Sequence, residues 1–366
     1  MNIKRNKRLH KAVIIIHCFI VFLFLLVALT PFLNPHTFWY ISLLGMVYPF
    51  LLLTVCICLF VAAALRSKWV ILPLVALILS WKQVSVVCAF RTPETFNMEK
   101  PANSLRILSW NVSRWTENDN SMRNRPENSY RNQMLDVIPG LNADILCFQE
   151  FFQCYAPSLF PENIEPIKKM GYPYYYFSPS SVWIDGKFQT GLMIFSRYPI
   201  IDSAFLTSVS GNHSEGFSYA DIHFNNRRIR IFNTHLESPG IRNQSIAGAG
   251  YEEGSGLLGK IKRAYFFRSQ QADLMKQHMN ASPYPVIFCG DVGDVPNSYA
   301  YFKLKKNMQD AFLEKGSGLG RTFRFISPTL RIDAVLADER FKIKQFEMPE
   351  FNYSDHLPLL TDLELK

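Results

Sequence analysis

The sequence predicts an α/β (α+β) sandwich preceded by a helical transmembrane segment, and three observations carry that expectation. Residues 1–100 hold long apolar runs and only two acids, Glu94 and Glu99. From Leu105 onward the pattern changes to short apolar runs separated by polar loops, which is how strands of a sheet read. Between those runs lie two windows with apolar residues at helical spacing, Tyr130 to Leu141 and Lys260 to Met279. Strands interleaved with outer helices build layered domains. The 366 residues therefore divide into a membrane region, 1–100, and one globular domain, 101–366.

In the membrane region the basic opening, Met1 to Lys11, is followed by an apolar run over 12–33. That run is longer than the core of a secretory signal and has no small-residue cleavage site, so it is expected to remain as an anchor. A second uncharged run, 41–65, is long enough to cross a hydrocarbon layer of ~30 Å. The third, 69–90, is interrupted by Lys82 and Gln83; it either crosses with Lys82 near an interface or lies on the surface. Lys4, Arg5, Lys7, Arg8 and Lys11 precede the first run, and Arg66 and Lys68 follow the second. This pattern puts the N-terminus in the cytoplasm. We read three crossings, which make the chain a multi-pass protein of the inner or plasma membrane with its globular domain extracytoplasmic. With two crossings the domain returns to the cytoplasm.

The net charge of +9 does not mark a nucleic-acid surface, because residues 1–100 carry ten Lys or Arg against two acids and the remainder carries 29 against 28. The basic balance reports membrane topology. The seven cysteines show no paired spacing, so no disulfide framework is legible. Residues 238–259 form a Gly- and Ser-rich connection long enough to be a loop beside a site.

Chemistry-bearing side chains recur at the expected C-terminal ends of the strands: Asn111, Glu150, His235, Asp291, Asp333 and the pair Asp355-His356. Any one of them suits a turn, but six at successive strand ends imply a single convergent site. Carboxylates, an amide and imidazoles without clustered Cys suit a hard cation such as Mg²⁺ or Mn²⁺. No His or Cys spacing favours zinc. A cation, a base and hydrogen-bond donors are what hydrolysis of a phosphoester needs.

A family resemblance follows from the same residues. Leu-Ser-Trp-Asn-Val at 108–112, Ile-Leu-Cys-Phe-Gln-Glu at 145–150, Thr-Gly-Leu-Met-Ile-Phe-Ser-Arg-Tyr-Pro at 190–199 and Ile-Phe-Asn-Thr-His-Leu at 231–236 come first. Gly-Asp-Val-Gly-Asp-Val-Pro at 290–296, Arg-Ile-Asp-Ala-Val-Leu at 331–336 and Ser-Asp-His-Leu-Pro at 354–358 complete the series. In this order they resemble the motifs of the endonuclease/exonuclease/phosphatase superfamily over residues 104–365. The resemblance implies a four-layered αββα sandwich with its site at one end of two packed sheets. It implies that Glu150 ligates the metal with Asn111 nearby and Asp355 supporting the metal side. It also implies that His235 binds the scissile phosphate, that Asp291 orients and deprotonates the attacking water, and that His356 acts on the phosphoryl centre with its tautomer fixed by Asp333.

Two departures stand out. The family usually has an Asn two residues after the catalytic Asp, where this chain has Gly293, and Ser113 stands where several nuclease relatives place an acid. Asn297 is the candidate to supply the missing donor to substrate, with Arg331 as a second substrate-binding candidate. The expected partner is a phosphate ester of lipid, nucleotide or nucleic-acid type, with no specific protein partner. The rival to an enzyme is a phosphate-binding or scaffolding module weakened by Gly293.

Overall fold

The computed structural model describes residues 2–92, 94–117, 129–206, 216–239 and 256–366, with side chains from Lys11 onward. Most of the Gly- and Ser-rich connection, 240–255, lies outside the described residues.

Five helices open the chain: α1 (Asn2–Ala28), α2 (Pro35–Leu44), α3 (Tyr48–Ala64), α4 (Ile71–Leu79) and α5 (Trp81–Val87). The strands β1 (Ala89–Phe90), β2 (Ser104–Asn111) and β3 (Ile145–Cys154) follow, with α6 (Arg131–Leu141) between the last two. Next come α7 (Ile164–Lys169), β4 (Tyr174–Trp183), β5 (Phe188–Ser196), β6 (Ile200–Leu206), β7 (Gly216–Phe224) and β8 (Arg227–His235). Helix α8 (Leu257–Ala281) leads into β9 (Val286–Asp291), then α9 (Tyr299–Lys305), β10 (Gln309–Asp310), α10 (Ala311–Lys315) and β11 (Ser317–Gly318). The chain closes with β12 (Asp333–Ala337), β13 (Phe341–Glu347) and β14 (Leu359–Leu365).

Two six-stranded sheets result, in the orders β10-β12-β9-β8-β7-β6 and β13-β14-β2-β3-β5-β4. Only β2/β3 and β8/β9 pair in parallel among the described residues, and α6 and α8 make those two crossovers. Alternation along each strand decides which core a side chain joins. Leu105, Ile107, Ile145 and Cys147 of one sheet meet Ile229, Ile231, Ile287 and Cys289 of the other. On the outer face of the first sheet, Leu108, Leu146 and Phe148 pack beneath Met134 and Ile138 of α6. On the outer face of the second, Phe232 and Phe288 pack beneath Ala272 and Met275 of α8. This is a mixed sandwich with a helical layer outside each sheet.

The N-terminal helices share that second outer core. Val21, Phe24, Val27 and Ala28 of α1 join one cluster with Phe217, Phe232, Val292 and Tyr301, so residue 100 does not separate two independently packed bodies. By length and composition, Lys11–Phe32 and Pro35–Ala64 can each cross a membrane, and the α4–α5 pair is a third candidate bent by 69°. The expected run over 41–65 lies within the candidate span Pro35–Ala64, which passes through a 3₁₀ turn at Gly45–Val47 and whose α2 part packs on α8, where Tyr265 donates to the Ser42 carbonyl at 3.3 Å. The expected run over 69–90 bends where Ser80 Oγ donates back to the Ala76 carbonyl at 2.8 Å, a contact that competes with the helix ladder. It ends at Val87, and Ala89–Phe90 then pair with Ser317–Gly318.

Candidate active site

The alternation that fills the space between the sheets also builds the site. Asn111 ends β2, His235 ends β8 and Asp291 ends β9, whereas Asp333, expected at the end of its strand, begins β12, which runs antiparallel to β9 and so brings it to the same end of the sheet. Each falls in the inward-facing phase set by Ile107, Ile231, Cys289 and Val335. Register places His235 opposite Asp291 and Asp291 opposite Asp333, so three neighbouring strands present a row of chemistry. Glu150 is one residue out of phase. A bulge between Phe148 and Phe151 and a φ of +49° at Glu150 turn it back toward the row. Beneath these groups Gln149 Nε2 donates to Asn233 Oδ1 at 2.7 Å, and Asn233 Nδ2 donates to the Phe148 and Met193 carbonyls at 3.0 and 3.1 Å, tying the sheets together.

Distances within the cluster are short. Asn111 Nδ2 donates to Asp291 Oδ2 at 3.2 Å. That same oxygen lies 3.7 Å from His235 Nε2 and 3.6 Å from His356 Nε2. His356 Nδ1 contacts Asp333 Oδ2 and Oδ1 at 2.9 and 3.1 Å, and Phe323 packs edge-on against the imidazole at 5.0 Å. Glu150 Oε1 stands 4.0 Å from His235 Nε2, and its Oε2 stands 3.7 Å from Arg114 Nε.

Electrostatics separate the carboxylates into two roles. Burial alone would raise Glu150, but Arg114, His235 and His356 outweigh it and hold the carboxyl below its ordinary value. Burial pushes Asp333 up, against the pull of His356. Burial would lower His356, yet Asp333, Asp291 and Asp355 together push it up to about 10. The site thus joins one carboxylate kept ionised to a buried imidazole kept protonated. Asp291, Asp333 and His356 also lie close enough to share an ion. Both oxygens of Asp333 already face His356 Nδ1, so the trio reads better as a proton-holding relay than as a metal cage.

Of the residues singled out in the sequence, Asn111, Glu150, His235, Asp291, Asp333 and His356 come together. Asp355 sits half-buried beside them, its Oδ1 accepting from Ser354 Oγ at 3.3 Å. Asn297 and Arg331 do not join as substrate binders, and here the structure corrects the expectation. Asn297 is buried with its Nδ2 donating to the Val27 carbonyl of α1 at 3.1 Å. Arg331 is buried with Nη1 on Asp310 Oδ2 at 2.7 Å and Nη2 on the Val86 carbonyl. A polar residue near a motif reads as a ligand-binding group, and the sequence does not reveal that the N-terminal helices pack on its other side.

Two residues were missed. Arg114 reaches Glu150 because residues 113–116 all have φ between +46° and +61°, a left-handed turn that propensity does not signal. Arg268 of α8 donates from Nε to the Glu237 carbonyl and from Nη1 to Asp294 Oδ2, both at 3.0 Å. It thereby bridges the segments that follow His235 and Asp291. Gly293 has φ +64°, and a Cβ there would lie 3.4 Å from Arg268 Nε, so a guanidinium borders the space that a side chain at 293 would enter.

The His356–Asp333 contact has a pH consequence. A histidine raised in the folded state stabilises fully below its unfolded value, near 6.5, and loses that contribution as pH rises through about 10. Asp333→Asn removes the charge that holds the proton. The alkaline fall in stability, followed as Tm against pH, is expected to begin at lower pH in the variant. Superimposable Tm profiles would show that Asp333 does not hold it.

Comparisons with known proteins agree with this architecture. Residues 10–87 match a domain of unknown function. The crystal structure of an endonuclease/exonuclease/phosphatase from Beutenbergia cavernae is similar, with a TM-score of 0.53 at 18% identity, covering 72% of each chain. The human Nocturnin catalytic domain, solved with a bound sulfate anion, has a TM-score of 0.51 at 20% identity over 72% of this chain and 94% of that one. The enzyme of the same family from Bacteroides vulgatus gives 0.50 at 18% identity over 72% and 99%. No curated protein matches the chain. Residues 95–356 match the model of the Endonuclease/Exonuclease/phosphatase family, and with most of its length so matched the chain belongs to that family.

Proposed function

We propose that this chain is a membrane-anchored, divalent-metal-dependent phosphoesterase that hydrolyses a phosphodiester or phosphomonoester by attack of water. The observation that supports it most is the convergence on one Asp291 oxygen of Asn111 Nδ2 at 3.2 Å, His356 Nε2 at 3.6 Å and His235 Nε2 at 3.7 Å, with Glu150 4.0 Å from His235. Glu150, with Asn111 and Asp355 nearby, offers the hard oxygen donors that Mg²⁺ or Mn²⁺ takes. A cation held by these residues would supply charge neutralisation at the phosphoryl oxygens. Asp291, oriented by the Asn111 amide and the Gly293 N–H at 2.7 Å, accepts the proton of the attacking water. His235 holds the phosphate, and His356 donates toward the phosphoryl oxygens or the leaving group.

For topology the reading is three crossings. Trp69, at the start of the bent pair, lines one groove with Val13, Val61 and Leu65. At the other end Gln83 Nε2 donates to the Ala28 carbonyl at 2.8 Å. The pair therefore runs beside α1 from about Val13 to Ala28, which supports a third crossing and, with the basic N-terminus cytoplasmic, an extracytoplasmic domain. The substrate is a phosphate ester of lipid, nucleotide or nucleic-acid type.

The test is hydrolysis of a generic phosphodiester and a phosphomonoester by the full chain in detergent, with Mg²⁺, Mn²⁺ or EDTA. Metal-dependent turnover that EDTA removes supports an enzyme and shows which ester to pursue. No turnover with any metal would favour a phosphate-binding module.

A further inference from the structure

The last carbonyls of an α-helix have no partner within it. Helix α1 ends at Ala28, and two of its terminal carbonyls are capped from elsewhere. Ala28 O accepts from Gln83 of α5. Val27 O accepts from Thr30 Oγ1 at 2.6 Å and from Asn297 Nδ2 at 3.1 Å. Asn297 stands six residues after Asp291, on the loop whose Gly293 N–H holds Asp291 Oδ1. That loop is wedged between α1 and the turn after α2: a methyl group added at Gly45 would lie 3.3 Å from the Asn297 carbonyl oxygen and 3.3 Å from Thr30 Cγ2.

A second tether repeats the arrangement. Arg331, two residues before Asp333, donates to the Val86 carbonyl near the end of α5 and pairs with Asp310. Val292 N donates to the Ile332 carbonyl at 2.8 Å, which joins the two tethered loops to each other. Val292 and Leu236, neighbours of Asp291 and His235, share one apolar cluster with Phe24, Val27 and Ala28. The flanks of both acids that face His356 are thus fastened to the ends of membrane helices.

We propose that Asn297 and Arg331 are positioning residues: by gripping the carbonyls of Val27 and Val86 they set Asp291 and Asp333 against His356, so that the helical segment is a working part of the site and not only an anchor. The proposal rests on the phosphoesterase reading above. A displacement of a few tenths of an ångström at Asp291 is felt in the chemical step, whereas substrate affinity, set mainly by His235 and the cation, is not.

Gly45→Ala tests this from the membrane side without touching the globular domain. Gly45 has helical angles, φ −53° and ψ −30°, so alanine suits its backbone, but the new methyl must push the Asn297 loop. Asn297→Asp tests it from the other side, because a carboxylate of the same shape cannot donate to Val27 O. Full-length chain in detergent is assayed with Mg²⁺ and with Mn²⁺ on a generic phosphodiester and a phosphomonoester, and the variants are compared on the ester that the wild type turns over. The expected result is a kcat several-fold lower for Gly45→Ala and ten-fold or more lower for Asn297→Asp, with KM within two-fold and Tm of the alanine variant unchanged or higher. Should Asn297→Asp fail to fold, Gly45→Ala decides alone. Wild-type turnover with kcat in the variants within two-fold of it would overturn the positioning role and leave the function standing. Wild-type chain without turnover would overturn both.

Discussion

Asp291→Asn is expected to lower kcat of the full chain by on the order of 10³, the scale of a lost general base, with KM changed far less. The substitution keeps the shape and removes the proton acceptor. It also disturbs two donors, since Asp291 Oδ1 accepts from Gly293 N at 2.7 Å and Oδ2 accepts from Asn111 Nδ2 at 3.2 Å, and an amide has one oxygen to offer both. The loss extends to His356, whose proton is held partly by Asp291. Steady-state kinetics with Mg²⁺ or Mn²⁺ measure it, and a kcat within ten-fold of wild type would remove Asp291 from the role of base.

Deleting residues 1–100 is expected to leave a fragment that aggregates or melts well below the full chain. Without α1 to α5 the outer sides of α8 and α9, where His36 packs on Phe266 and Phe32 on Phe302, lose their cover. Asn297, Arg331 and Tyr265 lose the acceptors Val27 O, Val86 O and Ser42 O. Each hydrogen bond exchanged for water costs about 0.5–1.5 kcal/mol net, the newly exposed apolar surface adds to that, and a domain holds only about 5–15 kcal/mol in all. Thermal melts of residues 101–366 against the full chain in detergent measure this. A fragment that stays monomeric and melts within a few degrees of the full chain would count against a shared core.

The legible part of the structure is the part written in alternation. Strands β2 and β9 run through the middle of a sheet with all residues buried; these were readable, and so were their polar ends, whereas central β14, with Thr361 and Asp362 inside it, was not. Strands β4, β6 and β13 lie at sheet edges with mixed burial, and so they do not stand out as apolar runs. Strand β3 continues past Glu150 to Cys154 because the bulge absorbs the change of phase, and no composition signals a bulge. Helices α6 and α8 lie within a few residues of the expected windows. What stayed hidden was partnership across the chain: that Asn297 meets Val27, that Arg331 meets Val86, and that a left-handed turn swings Arg114 onto Glu150.

The ownership of the cluster has one further effect. Asn111 and Glu150 come from one sheet, and His235, Asp291 and Asp333 come from the other, with the Gln149–Asn233 amides as a clasp below. Any ion or phosphate that touches both sets works as a reversible cross-link between two halves that unfolding must pull apart. Ligand held a hundred-fold above its Kd would add roughly 2.7 kcal/mol to the closed form, so the sandwich resists opening most when its site is full.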